Sequence, residues 1–514
     1  MVFRTYLFAS EKFDSDLLLG EYIEPKNITS KSLREINFTK GNKANEFMGA
    51  RVLDFFLLFK LIDYIENGGD LDKAWINVIG EQFLIPYGLD GNPVSLNKKI
   101  SEKIYKKNKI QTITPKAKSP FWLCNSSLFY TPLIQNGITG TTFTPLYSGT
   151  PQILGSLEDN SLIGGIYTES VGFNSKWPKF INKNLSFLYL FLASSLVIGE
   201  IVNELLDNNK ENLFKDKNNF VTFNGNCQLI KGSDVLVEIE KPNILTLEDM
   251  IGASSSCFVG LVYSLGNKFG LSKYGILDSL IPRFNILSSK LPDQSQISLF
   301  GDGAFSNNLA ILPLVARNVK KIICFNTDFN YDYRGYYNEG VNGINVQNIT
   351  EDDLTFYNTN LLQLFGKYDD SKSNGFISNS NQNARQIFPS ESWEDFKTQL
   401  LNNKRKGGPT YARQTLKVLK NNQYGIKGNY DVDLCVILLQ PSSIFNSLIP
   451  EEISKTFSDL NGPFPNFPNY PLLYTNAAEI VNLTREQINL LHCYAEWSII
   501  NSDLSNEIID MYSN

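Results

Sequence analysis

Apolar positions fall into two kinds of pattern along this chain. At helical spacing, Phe47, Val52, Phe55, Phe56, Phe59 and Leu61 predict a deeply buried helix over residues 45–65. A second helical run follows Asp70, whose carboxylate suits an N-cap, and reaches Leu84 before Pro86 stops it. Residues 249–265 read as a turn into a further apolar helix. Short unbroken apolar runs predict buried strands instead, at residues 319–326 and 433–440. Residues 121–149 are strand and turn material. The first 25 residues read as a strand, a loop and an apolar segment from Leu17 to Tyr22.

Polar stretches divide these elements. Residues 98–118 are basic and read as a surface excursion, residues 207–219 and 368–380 as loops, and residues 462–471 as a proline-rich turn region. Residues 401–408 read as a solvated basic face, and no internal repeat is present. Helical and strand patterns alternate throughout, which predicts an α/β domain whose central sheet is largely parallel and flanked by helices.

Composition narrows the class. A chain of 514 residues can bury a large core, and its 35 Phe and 24 Tyr predict an aromatic one. The net charge of -6 offers no footprint for nucleic acid and no basic patch for anionic membranes. The six cysteines, at 124, 227, 257, 324, 435 and 493, form no CxxC pair, which removes zinc-ribbon and thioredoxin-type sites; Cys257 and Cys324 stand in apolar runs and read as buried thiols. The N-terminal apolar run is too short for a signal peptide, and the sequons at Asn27, Asn37, Asn125, Asn184, Asn348 and Asn482 carry little weight in so Asn-rich a chain. Residues 185–199 are apolar but end at Glu200, short of the roughly 20 residues a spanning helix needs. A buried helix continuing to Leu206 is expected there, and a cytoplasmic protein overall.

Candidate chemistry concentrates in residues 299–326. Leu299-Phe300-Gly301-Asp302-Gly303-Ala304-Phe305 forms a turn that presents an aspartate beside glycine, before a small apolar helix and a strand. An aspartate held in this way can lie against a hydroxyl and act as a general base. The plainer alternative is a cap for a helix beginning at Ser306. His492, the sole histidine, stands beside Cys493 and reads as a surface or core residue, so a Ser-His-Asp triad is not expected.

The Asp302 stretch resembles the catalytic-aspartate segment of the cytosolic phospholipase A2 and fungal phospholipase B (lysophospholipase) family. Four further stretches are similar to that family in the same order. They are Ala74-Trp75-Ile76-Asn77-Val78-Ile79-Gly80-Glu81-Gln82, Phe143-Thr144-Pro145-Leu146-Tyr147-Ser148-Gly149, Glu169-Ser170-Val171-Gly172, and Met250-Ile251-Gly252-Ala253-Ser254-Ser255-Ser256-Cys257-Phe258. Leu490-Leu491-His492-Cys493-Tyr494-Ala495-Glu496 bears a fainter likeness, and an Asn-rich, histidine-poor chain is reminiscent of sporulation-associated phospholipase B-like proteins of yeasts. The resemblance implies one catalytic domain over residues 1–514 of patatin-like fold, with residues 176–245 as an insertion. It implies a hydrolase acting on lysophospholipid or phospholipid, in peripheral contact with membranes, with no cofactor and no metal.

On this resemblance the catalytic pair is Ser10 and Asp302. Ser10 follows Thr5-Tyr6-Leu7, the expected elbow strand, but Ala9, Glu11 and Lys12 stand where the family has small residues. Ser254 resembles a nucleophile elbow, yet Ser256 replaces the second glycine and the preceding Leu247-Glu248-Asp249-Met250 is not strand-like; hydroxyl capping of a helix is the plainer reading. The family's glycine-rich oxyanion loop with its arginine precedes the nucleophile by tens of residues, whereas only nine residues precede Ser10 and no GGGxR run occurs elsewhere. Three outcomes stay open: an active lysophospholipase, a member that binds lipid or protein without hydrolysis, and a fragment that needs a missing N-terminal part.

Overall fold

A computed structural model of the chain describes residues 5, 8–11, 22–35, 63–64, 66–89, 91–116, 119–129, 138–154, 163–170, 173–174, 244–256, 281–287, 295–326, 359–367, 385–459, 461–465, 467–468, 470 and 483–513. The helix expected at 45–65, the apolar run at 185–199 and the insertion at 176–245 lie wholly or almost wholly outside them.

Strands β1 (Cys124–Phe129), β2 (Ile138–Phe143), β3 (Tyr147–Leu154), β4 (Ile163–Glu169), β5 (Arg283–Leu287) and β6 (Ser295–Asp302) form one sheet in the order β4-β3-β2-β1-β6-β5. Each of its described pairings is antiparallel. This corrects the expectation of a patatin-like domain built on a central, largely parallel sheet. The reason lies in the connections. A parallel pair needs a crossover of about a dozen residues or more, and β2 reaches β3 through Thr144, Pro145 and Leu146 alone. There the Thr144 hydroxyl accepts from the N–H groups of Leu146 and Tyr147, at 3.1 and 2.9 Å, and folds the chain straight back.

Among the described residues of the first half are the helices α1 (Ser30–Glu35), α2 (Leu71–Ile79), α3 (Lys98–Asn108) and α4 (Leu247–Ser254). Asp70 stands at the N-cap of α2 as expected, but its side chain makes no capping bond, and past Ile79 the run widens into a π-helical segment over Gly80–Leu84. The predicted surface excursion at 98–118 is in part α3. Its Asn97 side chain caps Ile100 N–H at 3.0 Å, and Ile100 and Ile104 pack beside Leu146.

Helices α2 and α4 cover the face of the sheet that carries Cys124, Leu128, Phe143 and Phe300. Gly252 lets the two helices touch, because a Cβ there would stand 2.8 Å from Ile76 Cγ1 and 3.0 Å from its Cα. Lys73 Nζ meets Asp249 Oδ1 at 2.6 Å across the contact, and Asp249 also closes a capping box with Thr246. Full burial of side chains such as Met250, Phe284 and Phe300 stabilises this layer by about 2 kcal/mol each.

The second half holds α5 (Ala304–Asn307), α6 (Ile311–Ala316), α7 (Thr359–Leu364), α8 (Ser392–Arg405), α9 (Ser443–Leu448), α10 (Glu451–Ser454), α11 (Arg485–Ile500) and α12 (Asp503–Ser513), with strands β7 (Lys321–Asn326), β8 (Thr410–Val418) and β9 (Tyr430–Leu438). The strands form a small sheet ordered β7-β9-β8, in which β7–β9 is parallel and β8–β9 antiparallel. Helices α6, α7 and α8 bury one face with Phe365, Phe388, Trp393 and Phe396, and α12 covers the other through Leu504 and Met511. Arg413 of β8 fastens α12, since its guanidinium lies 2.6 Å from Asp433, 2.9 Å from Glu507 and 2.7 Å from Asp510. A third core joins α1, α9, α10 and α11 around Phe445, Phe467, Tyr494 and Trp497.

Candidate functional site

Asp302 ends β6 directly opposite Ser126 of β1, so the two side chains share the face that α4 covers. Immediately afterwards the chain turns through Gly303 into α5. A Cβ at Gly303 would stand 2.6 Å from the Asn125 carbonyl oxygen, so only glycine lets the turn lie flat on β1. Ala304 N–H donates to Asp302 Oδ1 at 2.8 Å, Asp302 N–H donates to the Ser256 carbonyl at 3.3 Å, and Ser127 Oγ donates to the Asp302 carbonyl at 2.6 Å. Three segments of chain therefore fix this residue. Burial raises the Asp302 carboxyl above its ordinary range, because the charged form loses hydration, and the Ala304 N–H offsets part of that rise. Next to it in the same layer, burial pushes the Cys124 thiol up to about 12 and keeps it neutral.

The plainer reading of Asp302 is visible too. Its carboxylate accepts from the first N–H of a helix, but that helix is α5, which begins at Ala304 rather than at Ser306 and has Gly303 at its N-cap.

Ser10 stands elsewhere in the same core. Thr5, Phe8 and Ala9 are helical, so Thr5 does not lie in an elbow strand. Phe8 stacks on Trp122 with centroids 5.9 Å apart, and its carbonyl accepts from Lys116 N–H and Ser119 Oγ at 2.8 and 2.9 Å. Ser10 itself is 1% exposed, and its hydroxyl donates to the Tyr87 carbonyl at 2.6 Å. No hydrogen bond joins Ser10 to Asp302.

Ser254, Ser255 and Ser256 sit at the C-terminal end of α4. Their hydroxyls donate to carbonyls: Ser254 to Asn125 at 2.6 Å, and Ser255 and Ser256 to Gly252 at 3.3 and 2.6 Å. The cluster satisfies the end of a helix, as the capping alternative holds, and ties it to β1. His492 belongs to α11, the helix that supplies Cys493 and Tyr494 to the third core, and its Nε2 lies 3.3 Å from Glu496 Oε2.

Sequence reasoning read residues 121–149 as strand and turn material but overlooked what the polar tract of β1 binds. Asn125 Nδ2 donates to the Asn307 carbonyl at 3.1 Å and Ser126 Oγ to the Gly301 carbonyl at 2.8 Å, while Ser127 Oγ accepts from Ser306 N–H at 3.0 Å and lies 2.9 Å from Ser306 Oγ. The available signal was a polar tract, Asn125-Ser126-Ser127, inside an otherwise buried strand; buried polar groups require partners, and the Asp302 turn supplies them. Among the described residues no group of three or more His, Cys, Asp or Glu side chains is placed to hold a metal ion, and no helix is long and apolar enough to cross a membrane.

Comparison with known proteins leaves the chain on its own: no family model, no curated protein and no solved structure matches it.

Proposed function

We propose that this chain is a phospholipase B-like carboxylic-ester hydrolase that cleaves fatty-acyl esters of phospholipids or lysophospholipids, with Asp302 as general base and Ser10 as nucleophile. The observation that supports it most is the Asp302 turn. Its carboxylate is locked at a strand end, on the apolar side of a sheet, with a proton affinity raised by burial toward what a base working near neutrality needs. In the reaction Ser10 Oγ attacks the acyl carbonyl as its proton passes to Asp302. Collapse of the tetrahedral intermediate returns that proton to the departing alcohol, and water activated by Asp302 then releases the fatty acid. In the structure the Ser10 hydroxyl donates to Tyr87, so a change of hydrogen-bond partner precedes attack.

Among the described residues, Cys124, Cys324, Cys435 and Cys493 are buried thiols rather than disulfides, which favours a reducing compartment and hence the cytoplasm.

A second reading, lipid or protein binding without hydrolysis, is favoured by one specific observation. The hydroxyls of Ser10, Ser126, Ser127, Ser254 and Ser256 each donate to a backbone carbonyl, so none of these serines is presented to Asp302. Fatty-acid release from lysophosphatidylcholine separates the two. Turnover that disappears in both Ser10→Ala and Asp302→Asn supports hydrolysis by this pair. Turnover unaffected by either substitution contradicts it, and no turnover by the folded wild-type chain leaves the binding reading.

A further inference from the structure

Residues 401–408 carry a basic sequence that the ester chemistry does not use, and the structure gives it a neighbour. The segment is the last turn of α8 and the bend that follows, and three hydrogen bonds clamp it to the start of α9. Lys404 Nζ donates to the Pro441 carbonyl at 2.6 Å, while Ser442 Oγ and Ile444 N–H donate to the Gly407 carbonyl at 2.6 and 3.1 Å. Gly407 makes the clamp tight. Its φ is +80°, and an added Cβ would meet Ser443 Oγ at 2.2 Å and Ile444 Cγ1 at 3.5 Å.

This places unlike groups side by side. Arg405 and Lys406 are exposed, and among the described residues neither has a carboxylate partner; Arg405 makes one long contact, 3.4 Å, to Asn402 Oδ1. Lys404, by contrast, gives its ammonium to Pro441. Beside them α9 turns Ser443, Ile444, Ser447 and Leu448 outward. Ile444 is 43% exposed and Leu448 42%, one helical turn apart on the same face, each preceded by a small exposed serine.

We infer that this patch is a peripheral docking surface for an anionic lipid bilayer, with Arg405 and Lys406 against headgroup phosphates and Ile444 and Leu448 entering the boundary beneath them. A specific protein interface needs about 800 Å² per partner, far more apolar area than two aliphatic tips offer. A bilayer asks less, because cations and shallow apolar insertion act together and neither suffices alone. The exposed carboxylates of Glu451 and Glu452 follow Leu448 in the chain and oppose part of the charge, so attachment is reversible and weakened by salt. The expectation of no basic patch for anionic membranes rests on the net charge of -6, a whole-chain quantity, whereas this attraction falls off within a Debye length and is local.

The inference does not rest on the hydrolase reading, and its test is kept apart from it. The full chain is floated with vesicles of ether-linked phosphatidylcholine, with and without ether-linked phosphatidylserine, which no esterase can cleave. The expected result is binding to the anionic vesicles that falls about fivefold for each of Arg405→Gln and Lys406→Gln and is lost in high salt. Ile444→Ser with Leu448→Ser is expected to abolish what remains. If that double variant unfolds by circular dichroism, the charge variants decide alone, since neither removes an ion pair. Equal binding to both vesicle types, no binding to either, or binding that survives both arginine and lysine substitution would overturn the proposal. So would capture by a soluble polyanion through Arg405 and Lys406 with vesicles left unbound, which would point to an acidic macromolecule instead.

Discussion

The Asp302 turn and the Ser10 segment both sit against the same core, and they are held in opposite ways. Asp302 is tied by its carboxylate, its N–H and its carbonyl to α5, to the segment after α4 and to β1, with Gly303 pressed flat against Asn125. Ser10 is held by one side-chain bond to Tyr87, on a segment whose Phe8 supplies the packing. The difference teaches which half of a Ser/Asp pair a fold can prepare in advance. A base needs a fixed position and a raised proton affinity, both of which a strand end under a helix provides. A nucleophile needs a presented hydroxyl, and here that hydroxyl is spent on a carbonyl.

The largest expected effect falls on the base. Asp302→Asn keeps the size of the side chain and an oxygen for Ala304 N–H, yet removes the proton acceptor, so fatty-acid release is expected to fall about a thousandfold while the thermal transition stays close to wild type. A variant that unfolds would show that Asp302 serves structure before chemistry.

Next in size is the turn itself. Gly303→Ala drives a methyl toward Asn125 O at 2.6 Å and Nδ2 at 2.9 Å, and strain of this kind costs about 2 kcal/mol, read from urea denaturation. Ser10→Ala, in the other region, loses a single hydrogen bond and is expected to cost about 1 kcal/mol. Equal losses from the two substitutions would break the comparison, because Ser10 would then be as firmly built in as the turn.

The smallest effect is a pH dependence with a defined sign. Burial raises the Asp302 carboxyl, so the folded chain binds that proton more tightly than the unfolded chain does. The resulting stability is fully present below the unfolded carboxylate value of about 3.9 and is lost as pH rises through the folded value. Glu496, also raised by burial, acts with the same sign. Denaturation midpoints of wild type and Asp302→Asn across the acid range isolate the Asp302 share, and the variant is expected to show the flatter curve. Activity runs the other way, rising as the base deprotonates.

Legibility followed locality. β7 and β9 announced themselves as apolar runs, α2 as a helical run after Asp70, and the turn at Asp302 by its paired glycines. Each is set by residues close together in sequence. α4, by contrast, begins at Leu247, before the turn expected at 249, and residues 257–265 of the helix expected there lie outside the described residues. The antiparallel sheet was misread because strand direction depends on which distant strands pair, and β1 lies between β2 and the far later β6. Its strands also hide their hydrophobic signal, since Ser126, Ser127, Thr139 and Thr141 are fully buried. The serines bond to carbonyls contributed from elsewhere, which no window of sequence reveals. α3 was read as surface because lysines outnumber the two isoleucines that dock it. Thr5 was placed in a strand by analogy with an elbow, and the helix there follows from no pattern in so short a segment.

The most direct test of the Ser10/Asp302 account is to label the folded chain with a lipid-like fluorophosphonate and map the adduct by peptide mass spectrometry. The account predicts an adduct on Ser10 that disappears in Asp302→Asn. An adduct on a different serine, or none on any serine in a sample shown to be folded, would contradict it.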